Sequence, residues 1–118
     1  MSGYDRTERI ADEIKRLLGE LLEREVRDPR VGFVTVMGVE VTSDLAYATV
    51  YVTAGEGEDV GEVLAGLAAA AGFLRRRLGE SLSLRHIPEL RFHEDASIER
   101  GFRMDALLKR LAEERGDE

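Results

Sequence analysis

Apolar residues in the first quarter of the chain recur at helical intervals. Ile10, Ile14, Leu17, Leu18, Leu21 and Leu22 form one stripe, which predicts an amphipathic helix from about Asp5 to Arg24. The opposite face carries opposite charges four apart, Arg9 with Glu13 and Arg16 with Glu20, as a solvated helix surface does. Pro29 disfavours helix at Asp28 and marks the exit. The period then drops to two. VGFVTVMGVEV, residues 31–41, is too rich in β-branched side chains for a surface helix and reads as a strand. Its apolar positions slip from even (Val34, Val36) to odd (Val39, Val41), and a β-bulge at Met37–Gly38 accounts for the slip. After a turn at TSDL, AYATVYVT alternates cleanly: Ala46, Ala48, Val50 and Val52 face one way, Tyr47, Thr49, Tyr51 and Thr53 the other.

A loop, AGEGED, follows, with Asp59 placed to cap the next helix. Val60, Val63, Leu64, Leu67, Ala68 and Ala71 trace that helix until Gly72, after which Phe73, Leu74 and Leu78 resume the spacing at once. The glycine is therefore expected to bend two abutting helical segments rather than to end one. Pro88 introduces a third strand, ELRFH, with Leu90 and Phe92 on one face and Arg91 and His93 on the other. Ser97 stands where a cap is expected for a last helix built on Ile98, Phe102, Leu107, Leu108 and Leu111. The order helix, strand, strand, bent helix, strand, helix predicts an α+β domain. Its first two strands form an antiparallel hairpin, and its helices pack on one face of a three-stranded sheet.

At 118 residues the chain is most simply a single domain, 1–118, with a short C-terminal helix or tail from about 97. It is long enough to bury roughly two-thirds of its unfolded surface without a metal or disulfide staple. It has no cysteine, which excludes disulfides, thiolate metal sites and a thiol nucleophile. No apolar run approaches the roughly 20 residues that span a bilayer. The polar start, MSGYDRTER, lacks the apolar segment of a secretory signal, so a cytoplasmic protein without a membrane partner is expected.

The formal net charge is −7, and its distribution says more than its sum. Between Val31 and Leu74 there is no lysine or arginine but six acids: Glu40, Asp44, Glu56, Glu58, Asp59 and Glu62. All 17 basic residues lie in the flanks, where they nearly balance the acids and form local clusters. A polyanion would have to bind through such a cluster with the acidic block turned away.

RDPR before the first strand, VEVTSDLAYATVYV across the hairpin, AAGFLRRRLG at the bend and LRHIPELRFHEDASIERG near the third strand occur in an order that resembles the ribosome-binding factor A family. These are bacterial assembly factors of the small ribosomal subunit, and the resemblance runs over nearly the whole chain. It implies a type II KH-like fold. Ordinary KH domains hold RNA backbone with a GxxG loop, and this sequence has none. The family is similar to KH but replaces the loop with a helix-kink-helix, matched here by Ala70, Ala71 and Gly72. The resemblance further implies a non-catalytic factor. It would bind the immature 30S subunit against 16S rRNA, near the 5′-terminal helix, and support late folding and processing of that RNA, notably in the cold.

On that reading Arg75, Arg76 and Arg77 follow the kink close to where KH folds hold nucleic acid. Three adjacent helical residues spread over about 200° of azimuth, so the three cannot share one phosphate track. At least one is expected to pair with Glu80 or a neighbouring acid. Arg85 and His86 stand in a loop before Pro88, and Arg91 extends the basic set on the outer face of the third strand. Tyr47 and Tyr51 have the chemistry to stack on bases, but their strand carries no cation, so covering the sheet is the expected role. His86 and His93 with Glu94 or Asp95 lack a third convergent metal ligand. Ser43 and Asp44 have no histidine near them in sequence, and there is no GxSxG or P-loop. No enzyme, cofactor or metal is expected, and the protein is read as a monomer. The alternative is a protein-interaction module whose acidic segment docks basic ribosomal proteins.

Overall fold

The computed structural model describes residues 6–95. Helix α1 spans Arg6–Arg24 and strand β1 spans Val34–Val41. They are followed by β2, Tyr47–Ala54, α2, Val60–Ser81, and β3, Glu89–Glu94. The sheet order is β1-β2-β3, antiparallel for the hairpin and parallel for β2 with β3. A parallel neighbour needs a crossover, and α2 supplies it. The expected C-terminal helix, Ile98 to Leu111, lies outside the described residues.

Both helices cover the same face of the sheet, α1 under β1 and α2 under β3. The stripes legible in the sequence meet there. Ile14, Leu18, Leu21 and Leu22 of α1 join Val63, Leu67, Leu74 and Leu78 of α2 beneath Val36, Ala48, Val50, Val52 and Leu90. The bulge falls where the change of phase puts it. Val36 pairs with Val52 and Gly38 with Tyr51, which leaves Met37 as the extra residue and returns Val39 and Val41 to the core side.

Two strand boundaries are corrected. The first strand begins at Val34, not Val31. The peptide N–H of Val31 closes a turn on the Asp28 carbonyl, 2.9 Å, and its side chain abuts Gly66 of α2, so 31–33 serve helix packing before the ladder starts. The second strand is shifted by one, to Tyr47–Ala54, because Ala46 belongs to the turn: its N–H donates to the Asp44 carboxylate at 3.0 Å. Helix α2 runs without interruption through 22 residues with Ala70 and Gly72 inside it, so, as expected, Gly72 does not end the helix. One interior glycine costs only about 1 kcal/mol. The buried row Val63, Leu67, Leu74, Leu78 continues through it and holds both halves to the same sheet.

The hairpin turn and the start of α2 are as read. Asp44 accepts from the Thr42 hydroxyl at 2.7 Å, which with the Ala46 N–H holds its carboxyl below the usual range. Asp59 caps α2 through the Glu62 N–H at 3.2 Å. In the RDPR turn, Arg30 grips Asp28 through Nε at 3.0 Å, Nη2 at 2.7 Å and its backbone N–H at 2.9 Å. These bonds push the Asp28 carboxyl down to about 2. The unfolded chain then takes up this proton near pH 4 and the native chain only near pH 2. Stability supplied by Asp28 is therefore present above about pH 4 and is lost as pH falls towards 2. A carboxyl-carbon NMR titration is expected to put Asp28 well below the ordinary aspartate value, and Arg30→Ala to restore it towards that value.

Candidate nucleic-acid interface

Four consecutive residues of α2 meet four different environments, because each step along a helix turns about 100°. Leu74 is fully buried in the core. Arg75 turns towards β3. Its Nε donates to the Pro88 carbonyl at 3.1 Å and its Nη2 to the Ile87 carbonyl at 2.7 Å. Carbonyls satisfy the guanidinium without cancelling its charge, so Arg75 ties down the α2–β3 connection and remains a cation. Arg76 points away from the core into solvent and has no ion-pair partner among the described residues. Arg77 turns to α1: its Nη2 meets Glu25 at 2.8 Å and its Nη1 meets Glu80 at 2.7 Å. The triplet is therefore not one phosphate-facing ridge. Arg77 is a neutralised clamp between the helices, as one member was expected to be, and only Arg75 and Arg76 present charge outward.

The outer surface of α2 is unusually smooth beside those two cations. Ala65, Ala68, Ala69 and Gly72 are all exposed, on the side of the helix opposite its buried row. A Cβ added at Gly72 would meet nothing within 4 Å, so this glycine opens the surface and is not packed against anything described. Between this surface and the outer edge of β3 runs a groove of about 420 Å³, with Ala68, Ala71, Gly72 and Phe92 along it, lined also by Arg75, Arg91 and one acid, Glu89. β3 is an edge strand, so its outward backbone groups are open to this groove. Arg75 pins Ile87 and Pro88, and Arg85 and His86 stand exposed in the connection just before them.

On the sheet face away from the helices, the parallel register places Arg91 level with Thr49 and His93 level with Tyr51. The Arg91 guanidinium lies 3.9 Å over the Tyr47 ring, and Nη2 reaches Glu89 at 3.4 Å. Tyr51 and His93 have ring centroids 6.3 Å apart. The cation absent from β2 thus arrives from the neighbouring strand, a pairing that only the register reveals. Arg75 and Arg91 line one groove, Arg76 stands on the adjoining ridge, Arg85 and His86 are exposed in the connection before β3, and Arg77 is drawn out of the set.

The acidic block is divided between the two ends of the hairpin. Glu40 and Asp44 lie at the turn end. Glu58 and Asp59 lie at the loop before α2 and Glu62 in its first turn; Asp59 is the cap and the Glu58 carboxylate accepts from the Phe33 N–H at 3.4 Å. Among the described residues no group of three histidine or acidic side chains converges as metal ligands would, and no helix is long and apolar enough to cross a membrane.

The family model described as ribosome-binding factor A matches residues 6–108. A ribosome-binding factor A of Aromatoleum aromaticum is 47% identical over 109 residues, covering 92% of this chain and 86% of its own. The crystal structure of ribosome-binding factor A from Thermus thermophilus superposes with a TM-score of 0.69 at 27% identity, over 75% of this chain and 93% of that one. Coordinates of the Thermus thermophilus factor fitted into a cryo-EM map of its complex with the 30S subunit give a TM-score of 0.61 at 29% identity, covering 73% and 91%. A family match across residues 6–108, with the same α+β architecture in a solved relative, places this chain in the ribosome-binding factor A family.

Proposed function

We propose that this protein is a non-catalytic assembly factor that acts in the cytoplasm as a monomer. On this reading its KH-like domain binds 16S rRNA on the immature 30S subunit through the α2–β3 groove. Arg75, Arg76, Arg85, His86 and Arg91 would supply the contacts, and the late step it supports would include folding and processing of the 5′-terminal rRNA. One observation carries the choice of surface. Arg75 and Arg76, which have no carboxylate partner among the described residues, lie on the smooth outer side of α2, and of the 40–62 acids only Glu62, in the first turn, shares that helix. A surface of alanine and glycine lets a phosphate backbone approach closely, and guanidinium groups at its margin then supply counterion release. The Thermus thermophilus relative fitted into a 30S complex supports the subunit as the partner.

Binding to 30S particles and to naked 16S rRNA is measured across a salt series. Each phosphate contact removed is expected to reduce the slope of log K against log salt by about 0.7–0.9. Arg76→Glu with Arg85→Glu should therefore flatten the slope by about 2 and weaken binding at least tenfold at low salt. Glu56→Gln with Glu62→Gln should leave both readouts in place. Loss of binding in the acidic variant, with the arginine variant unaffected, would instead assign the contact to a basic protein.

A further inference from the structure

Among the described residues a larger groove lies on the side away from that surface, between α1 and the free edge of β1. It encloses about 1150 Å³. Leu22 of α1 and Val26 just beyond its end form one wall, and Val31, Val34 and Val36 form the other. Gly19, midway along the α1 side, leaves open space where a Cβ would stand. A helix flank facing an unpaired strand edge is the geometry in which an extended peptide adds a strand.

The backbone is set for that addition. The Gly55 N–H donates to the Phe33 carbonyl at 2.8 Å, so residue 33 faces β2. Alternation along an antiparallel ladder then turns Thr35 inward and points the N–H and C=O of Val34 and Val36 out into the groove. Neither has a backbone partner there among the described residues. The bulge at Met37 ends the regular edge, which confines addition to the segment before it. Phe33 stands at this end of the groove with 84% of its surface exposed.

The charge of the rim selects the occupant. Asp12, Glu20 and Glu23 line it against Lys15 and Arg16, and Arg16 is already held by Glu13 and Glu20. Glu58 adds a further carboxylate beside Gly32 and Phe33. We propose that the α1–β1 groove binds a basic, extended peptide segment of a partner protein by strand addition to Val34 and Val36. Alternate apolar side chains fill the walls, and arginine or lysine stems reach the carboxylates. The helical stretch from Asp12 to Arg24 rises about 18 Å, which matches roughly five to six extended residues. This site is separate from the groove assigned to RNA, so either reading can fail without the other.

The test uses the full chain and a hexapeptide amide of alternating arginine and valine, followed by amide NMR and hydrogen exchange. Binding should slow exchange at Val34 and Val36 at least tenfold and shift Gly19 and Leu22, while the Gly72 and Arg91 signals stay in place. Asp12→Lys with Glu23→Lys should raise the Kd about tenfold at low salt, and a glutamate–valine peptide should not bind. The proposal is overturned if Val34 and Val36 exchange is unchanged by the peptide, or if the acidic peptide binds as well. It is equally overturned if both amides are already protected without peptide. Protection that grows with protein concentration would then assign the groove to a second copy, and concentration-independent protection to the chain's own residues.

Discussion

Leu74→Ala is expected to cost about 2–5 kcal/mol of unfolding free energy, whereas Arg76→Ala, two residues along, leaves stability unchanged. Leu74 has no exposed surface and sits in the cluster shared by both helices and the sheet, so truncation opens a cavity that neighbours on three elements cannot all close. Arg76 touches no described partner, and its loss should appear only in binding to the 30S subunit. Arg75 and Arg77, on either side of Arg76, separate structure from charge in another way. Arg75→Lys keeps the cation but cannot reproduce two fork-spaced bonds to the Ile87 and Pro88 carbonyls, so exchange should quicken around residues 85–88. Arg77→Ala removes the link from α2 to Glu25 and should destabilise the helix pair with no change in the salt slope of binding. Urea unfolding at constant m, with the 30S assay alongside, distinguishes all four residues.

Those four outcomes mark what could be read in advance. Period and phase carried the stripes of α1 and α2, the hairpin, the Met37 bulge, the Asp44 turn and the Asp59 cap, because each is decided within a few residues. The partner of Arg77 was half visible: Glu80 is three residues away on the same helix, but Glu25 is 52 positions back and is brought near only when α1 and α2 pack. Tyr47 looked like a covering residue because its own strand has no cation. Arg91 reaches it across a parallel register that required α2 to cross over first. The RNA-facing set shrank for the same reason, since charge in sequence does not state which guanidinium groups tertiary packing will consume. The first strand started late because a valine can serve a helix contact as readily as a ladder.

Gly66→Leu is expected to destabilise the fold by about 1–3 kcal/mol, and Gly72→Ala to stabilise it by about 0.5–1 kcal/mol, although the sequence singles out Gly72. A Cβ at Gly66 would stand 2.7 Å from Val31 Cγ2 and 3.1 Å from Arg30 Cβ, with the Val31 backbone nitrogen at 3.5 Å. The α1–β1 connection crosses α2 at this point, so a leucine must push the linker off the helix and, with it, the turn that Arg30 and Asp28 hold. The gain in helix propensity, about 1 kcal/mol, offsets only part of that. At Gly72 nothing opposes a methyl group, and propensity acts alone. Thermal or urea unfolding decides the stability half. If Gly72→Ala also keeps full affinity for 30S particles, the smooth surface of α2 tolerates a methyl group, and phosphate does not approach at that position. If the more stable variant binds less tightly, glycine is kept there at the expense of the helix for the ligand's access. Tighter unfolding thresholds with weaker binding in one substitution would place the RNA backbone against Gly72 itself.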